Sequence, residues 1–496
     1  MLDLDIRRTP PDAALPRAVP VAAGAALPAI AGAAGFRAEA GQVLELAAPP
    51  LGVEGAPVRF ALVGLGAAPR ALDHETAGAA AAARFAAIPH LVLDARGLAP
   101  DAAAAFAAGA CLRAWRFDAL RTRDVAPGLS RLSLLADSPA AVRTAWEERS
   151  AAVRGCLLAR DLVAEPANRL TPRRFAKRLR ALAAHGIEVE VLGRRRLLRG
   201  GFGGLLAVGA GAEEPPRLVV LRWRGRIAAR PVAFIGKGIV FDTGGISIKP
   251  AQGMEAMRAD MAGAAACAGA MLALALRRSP APTVAVLAIA ENATGATSYR
   301  PGDVLRMAAG TTVEVVDTDA EGRLVLADAL HHAARRFRPR AMVDLATLTG
   351  AVVSALGHHR AGLFGTDAAL LSSLAAAGEA VGEPLWPLPI GEGHRADLAS
   401  AIADLRQCVP PARGEGGWPA RFIPDASHAA AFLREFTAGI PWAHLDIAGV
   451  DTQDAPHPLG PAGPTGFGVR LLDALVAARF EDEDHHPPVA RRGAAV

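Results

Sequence analysis

The sequence predicts an α/β protein, with a small N-terminal α/β domain and a larger C-terminal α/β domain whose mixed central sheet is covered by helices. Three observations carry this. The chain has 496 residues, more than one hydrophobic core usually organises. Hydrophobic residues make up 52% and charged residues 21%, which excludes a disordered chain or a highly charged coiled coil. Beyond Pro166, almost wholly apolar strand candidates alternate with helical stretches, and strands apolar on both sides imply a sheet buried on both faces.

Taken in order, the first 135 or so residues alternate strand-like runs (43–47, 58–66 and 90–95) with Ala-rich helical stretches. They hold no lysine and no cluster of metal-ligating side chains. We assign them to an N-terminal domain over 1–137. Residues 18–36 carry basic flanks and no acid, which superficially suggests an export signal. The run is mostly Ala and Gly, is broken by Pro20 and Pro28, and follows Asp3 and Asp5, so it does not read as one. A linker helix over 138–164 is expected, with Asp137 or Ser138 as cap and Pro139 at its first position. The larger C-terminal domain then spans 165–480. Its strand candidates are 217–223, 232–236, 283–290, 341–348 and 442–449, with helices at 254–277 and 323–337 and a hairpin at 303–316 turning at Ala309-Gly310. The stretch 263–276 is too short to span a bilayer and reads as a buried helix. Residues 409–425 read as a Pro/Gly-rich loop, and 481–496 as a disordered polar tail.

Net charge is +5 with pI near 9.5, a mild bias over this length and weak support for a nucleic-acid partner. Gly (51) and Pro (37) show no Gly-X-Y period. The four cysteines, Cys111, Cys156, Cys267 and Cys408, form no C-x-x-C pair. That argues against a disulfide scaffold or thiolate zinc site and suits a reducing compartment. The expected location is the cytoplasm.

Two segments carry chemistry. FIGKGIVFDTGGISIKP (234–250) holds Lys237, Asp242 and Lys249 among glycines, and VVDTDAEGRLVLADAL (315–330) places Asp319, Glu321 and Arg323 at i, i+2 and i+4. If the second is extended, these three side chains share a face, and two carboxylates there repel unless a cation lies between them. Asp260 is a third aspartate, in an apolar run expected to be helical. The chain has three lysines, Lys177, Lys237 and Lys249, and its other 51 basic residues are arginine. An amine can lose its proton and donate a lone pair, which a guanidinium effectively cannot. Each segment alone reads better as a turn or a solvated strand face. Together they form a hard-ligand set suited to two divalent ions.

GKGIVFDTGGISIKP, then M-x-x-M-R-A-D-M (254–261), then DTDAEGRLVLADAL resemble the leucine aminopeptidase (cytosol aminopeptidase) family in order, spacing and letters. Similarity continues through EPANRLTP, LLAVGAG, YRPGDVL, DLATLTGA, PWAHLDIAG and TGFGVR, so that it covers about 155–478. The N-terminal part is similar only loosely.

The resemblance implies a metal-dependent exopeptidase that releases N-terminal amino acids, with leucine-type preference. It implies two divalent ions per subunit, zinc or manganese, with magnesium or cobalt accepted. Asp242 and Glu321 would bridge them, Lys237 and Asp260 would complete the tighter site, and Asp319 would serve the looser one. Lys249 and Arg323 would be catalytic, Arg323 holding a bicarbonate that acts as general base. Met257, Asp317, Thr347 and Gly350 fall at or near the substrate pocket. The implied assembly is a homohexamer, a dimer of trimers, acting on peptides. Three departures stand out: Asp317 replaces an Asn, Arg258 replaces a common Lys, and 409–425 replaces a short Gly-rich connection. Asp317 either shifts preference toward polar or basic residues or makes local hydrogen bonds.

The histidines add little: His331-His332 and His358-His359 form no H-E-x-x-H, His485-His486 lie in the tail, and His444 reads as structural. GKG at 236–238 lacks the P-loop pattern, and GAGAEE at 209–214 lacks a third glycine. The competing readings are a two-metal phosphoesterase and a DNA-binding accessory factor. A carboxylate-rich ion pair also suits phosphoryl transfer, although a lysine ligand is unusual there. DNA binding is known for some proteins of the family, but no basic stripe or recognition helix is present.

Overall fold

The computed structural model describes residues 2–25, 31–32, 34–48, 58–123, 128–410 and 423–482. The chain forms two compact units, Met1–Leu157 with Asp454–Gly463, and Leu158–Gln453 with Pro464–Val496. The helix Pro139–Ala164 runs through the division between them. Asp137, offered with Ser138 as a cap, accepts the Gly97 N–H on its carboxylate at 2.8 Å.

In the first unit, β1 (Asp3–Arg7), β2 (Arg17–Ala22), β3 (Val43–Ala48), β4 (Val58–Gly66), β5 (His90–Asp94) and β6 (Arg131–Leu135) form one sheet in the order β1-β6-β5-β2-β4-β3. All neighbours are parallel except β3 and β4. The uncharged run with signal-like flanks therefore begins as an interior strand.

The second unit contains β7 (Glu188–Leu192), β8 (Arg217–Trp223), β9 (Val232–Asp242), β10 (Thr283–Asn292), the hairpin β11 (Val304–Arg306) and β12 (Thr312–Glu314), β13 (Met342–Ala346), β14 (Ala361–Gly365), β15 (Leu385–Pro387), β16 (Leu405–Arg406) and β17 (Trp442–Asp446). Its main sheet runs β15-β14-β17-β13-β9-β10-β8-β7. The central four, β17, β13, β9 and β10, are parallel, and antiparallel pairs flank them. The helix Ala262–Leu276 is buried from Ala262 through Ala275. Its small residues let it lie against β9: a Cβ on Gly236 would stand 2.6 Å from Ala264 Cα. The opposite face of β9, with Ala233, Ile235 and Ile239, packs with Leu324 and Val325 of the helix Glu321–Phe337. Each fully buried aliphatic side chain there contributes about 1.5–3 kcal/mol, so this interface fixes the helix that begins at Glu321.

Three expectations need correction. Asp319, Glu321 and Arg323 do not lie on an extended strand: Asp319 is in a turn, and Glu321 and Arg323 are in the first turn of the helix. The apolar residues from Leu324 onward continue a 3.6-residue period that the charged residues at i, i+2 and i+4 conceal. The segment 254–277 is not one helix. A 3₁₀ turn, Met254–Ala259, ends at Asp260, and the α-helix begins at Ala262. Strand 232–236 continues to Asp242, because β9 stays paired with β10 past its glycines, in register to Ile239 and with a shift before Asp242. Most of 409–425 and of the tail falls outside the described residues.

Candidate active site

The parallel strands β9 and β10 end side by side at Asp242 and Asn292, and β13 ends near the level of Lys237. The polar residues gather at these carboxyl ends, where open α/β sheets present their crevices. Lys237 is on β9 between Gly236 and Gly238 and is 2% exposed. Alternation turns the glycines toward the Ala-rich helix and the lysine toward the other face. Its Nζ lies 2.8 Å from Asp260 Oδ1 and 2.7 Å from Glu321 Oε1, and it donates to the Thr347 carbonyl at 2.9 Å. Gly322 leaves it room, since a Cβ there would stand 2.8 Å from Lys237 Cε.

Asp242 closes β9. Its Oδ1 accepts from the Gly244 N–H at 2.9 Å and from Asn292 Nδ2 at 2.7 Å. Gly244 and Gly245 then take φ of +84° and +66°, left-handed values that glycine adopts without strain. This tight turn brings Lys249 back, with its N–H on the Thr243 carbonyl and its Nζ 2.9 Å from Asp242 Oδ2 and paired with Asp319. The turn bearing Asp319 is held by Gln407, which accepts from the Val316 and Asp317 N–H groups and donates to the Ala320 carbonyl.

All seven metal and catalytic candidates lie in this region, and six form one cluster of side chains with Lys237 and Lys249 bridging Asp242, Asp260, Asp319 and Glu321 as its links. Arg323 is 2% exposed and belongs to a second pairing: its Nη2 donates to Asp425 Oδ1 at 2.8 Å and its Nη1 to the Gln407 carbonyl at 3.2 Å. Of the pocket candidates, Thr347 reaches the cluster through an Oγ1–Asp260 Oδ1 bond of 2.7 Å. Asp317 folds onto its own turn, accepting the Asp319 N–H at 2.9 Å. Met257 is half-buried in the 3₁₀ turn before Asp260, and Gly350 is exposed at the start of the helix Gly350–Leu356. Arg258, the other departure, is exposed.

Four carboxylates share two ammonium groups, so the cluster is short of positive charge. Burial first, then Asp242 and Glu321, push the Asp319 carboxyl up to about 7 despite Lys249. Asp260 and Glu321 are likewise raised, both by burial first, then Asp260 by Glu321 and Asp242, and Glu321 by Asp242. Burial opposes the charge on Lys237, but Asp260, Glu321 and Asp242 outweigh it and hold the amine above its ordinary range. Lys249 is raised in the same way by Asp242 and Asp319. Two carboxylate oxygens, Asp260 Oδ2 and Glu321 Oε2, are buried without a hydrogen-bond partner among the described residues. Oxygens of Asp242, Asp319 and Glu321 lie within 4.8 Å of one another. Buried unsatisfied carboxylate oxygens are costly, and a cation between them removes the cost. The residues present fit divalent ions.

Asn292, Thr318, Gln407 and Asp425 escaped the sequence reading. Thr318 Oγ1 accepts from the Ser247 N–H and donates to the Gly244 carbonyl, tying the two motif segments together. Asn292 had a signal: it ends an apolar strand opposite Asp242.

This arrangement defines a class: an α/β metal-dependent hydrolase with its acids at the ends of parallel strands. Residues 157–473 match the cytosol aminopeptidase family's catalytic domain, and residues 9–124 match its N-terminal domain. A probable cytosol aminopeptidase of Caulobacter vibrioides is 43% identical, covering 94% of this chain and 93% of the relative. One from Rhizobium etli (strain CIAT 652) is 43% identical, covering 90% of each. Among solved structures, the bottromycin maturation enzyme BotP in complex with Mn is similar with TM-score 0.83 and 38% identity, over 94% of this chain and 99% of that one. The chain belongs to the cytosol aminopeptidase family and is a metallo-aminopeptidase, a hydrolase of the exopeptidase type.

Proposed function

We propose that the protein removes N-terminal residues from peptides with two divalent ions held at the acidic cluster. The observation that carries this is the pair of unpartnered oxygens, Asp260 Oδ2 and Glu321 Oε2, beside the Asp242–Asp319–Glu321 trio. Asp242 and Glu321 would bridge the ions, Lys237 and Asp260 would hold the tighter one, and Asp319 the exchangeable one. Zinc or manganese suits this set, with magnesium or cobalt as substitutes. The Mn named with BotP supports manganese.

When bound, such ions supply a hydroxide-like water near neutral pH and polarise the scissile carbonyl. The chain's own residues do the rest. Lys237 must give up its proton to become a ligand, since an ammonium has no lone pair. Lys249, 21% exposed in its side chain and held protonated, is placed to donate to the oxyanion that develops on the carbonyl. Ile246 and Ile248 are exposed in the loop before it, an apolar surface for a substrate side chain consistent with leucine-type preference. Asp317 adds a negative charge nearby and would draw in basic N-terminal residues. Bicarbonate on Arg323 does not fit as well, because that guanidinium already faces Asp425. We place the enzyme in the cytoplasm, as the names of its relatives suggest, and we propose a homohexamer on the sequence resemblance to the family.

The test is hydrolysis of a panel of aminoacyl-p-nitroanilides with added Zn²⁺ or Mn²⁺ and after chelation. Metal-dependent release is expected. No release by metal-loaded protein from any member of the panel contradicts the reading.

A further inference from the structure

We infer that Asp425 is a built-in anion for Arg323, so that this enzyme works without the exogenous bicarbonate expected at that position. The inference rests on the aminopeptidase reading and concerns one residue of the same site.

Arg323 begins two residues after Glu321, in the first turn of the same helix, and its guanidinium is buried. A permanently charged buried group needs an anion close by, because the unpaired charge is costly. Asp425 supplies it: Oδ1 stands 2.8 Å from Nη2. Its attraction raises the Arg323 pKa further, against the burial that opposes the charge. Asp425 is the first residue of the helix Asp425–Arg434, where a carboxylate is also favoured by the helix dipole. Ala426 and Ala429 through Leu433 of that helix are buried, so the carboxylate is carried on a fixed element. A second anion on the same guanidinium would face Asp425 across a few ångströms and be repelled.

Asp425 is nonetheless partly open to solvent. Its side chain is 38% exposed, against 2% for Arg323. The geometry is that of a positioning residue: it orients the guanidinium and provides the negative charge that a planar oxyanion would otherwise bring. Nothing in the 317–323 motif reveals it, because Asp425 arrives from about a hundred residues downstream.

The experiment has two readouts on the metal-loaded full chain. The first is kcat for leucine p-nitroanilide in carbonate-free buffer and across a bicarbonate titration, for wild type, Asp425→Ala and Asp425→Asn. The second is binding of ¹³C-bicarbonate by NMR line broadening, for the same proteins and for Arg323→Ala/Asp425→Ala. Wild-type kcat should be flat with bicarbonate, and no saturable binding should occur. Asp425→Ala should lose about a hundredfold in kcat, the scale of a positioned acid–base or charged group. Millimolar bicarbonate should restore it, with saturable binding that the double variant lacks. Asp425→Asn, which keeps the shape without the charge, should also respond to bicarbonate. A wild type that binds bicarbonate saturably, or whose kcat depends on it, overturns the inference. So does an Asp425→Ala enzyme as fast as wild type without bicarbonate. If no protein cleaves the substrate, the aminopeptidase reading has failed, and the binding measurement still decides the role of Asp425.

Discussion

Lys237 and Lys249 show how much a single residue choice can disclose. In a chain that uses arginine almost everywhere, two lysines twelve positions apart flank Asp242, and the structure places both among carboxylates. Residue type and spacing made the cluster legible, because its chemistry excludes most substitutes. The residues that steady it were not legible. Asn292, Gln407 and Asp425 are ordinary polar letters whose partners are decided by distant segments. Two predictions belong at this scale. Lys249→Ala should lower kcat by about 100- to 1,000-fold, the usual cost of removing an oxyanion donor, while metal content measured by mass spectrometry stays at the wild-type level. Asp317→Asn keeps an oxygen to accept the Asp319 N–H, so the turn should persist and only the charge is lost. Rates on lysyl and arginyl p-nitroanilides should then fall relative to leucyl. An unchanged ratio would confine Asp317 to its local hydrogen bond.

At the scale of elements, the helix Glu321–Phe337 matters most, because it aims Glu321 at Lys237 and Arg323 at Asp425. The extended reading of its first residues failed since carboxylates two apart look like a strand face, whereas the apolar run behind them packs as a helix on β9. Strands away from the centre of the sheet were harder still: β7 alternates glutamate with valine, and β14 carries glycines near both ends, so neither shows the apolar density of the central strands. The helix is anchored by Asp328, whose fully buried carboxylate accepts the Leu205 N–H at 2.9 Å and the Ala308 N–H at 2.8 Å. Burial, only partly offset by those bonds, pushes it up to about 7. Its folded pKa is thus above the ordinary 3.8, and the folded state binds the extra proton between these values. Stability should therefore fall as pH rises from about 4 to 7, by about 4 kcal/mol at most from this group. Denaturant melts at several pH values should show this slope in wild type and a shallower one in Asp328→Asn. Gly322→Ala is a second test of the element. Its methyl would press on Lys237, so metal affinity should weaken more than thermal stability. Equal losses in both would point to a merely structural glycine.

For the whole molecule, the sheet order places the parallel strands β13, β9 and β10 side by side, and this gathers acids from segments far apart in sequence into one cluster. The sequence predicted the strongly apolar strands and both units of the α/β architecture, since burial on two faces leaves a continuous hydrophobic run. It could not show which loops meet above the strand ends. Sedimentation should give six subunits of 51.0 kDa if the proposed assembly is right, and a monomer would contradict it. The central claim is that the acidic cluster holds two ions that the peptidase reaction needs. Chelation to metal-free protein, followed by stepwise return of Mn²⁺ while leucine p-nitroanilide release is recorded, tests it most directly. Activity should be absent without metal and should plateau at two ions bound per subunit. Full activity in the metal-free protein, or a plateau at one ion, would contradict it.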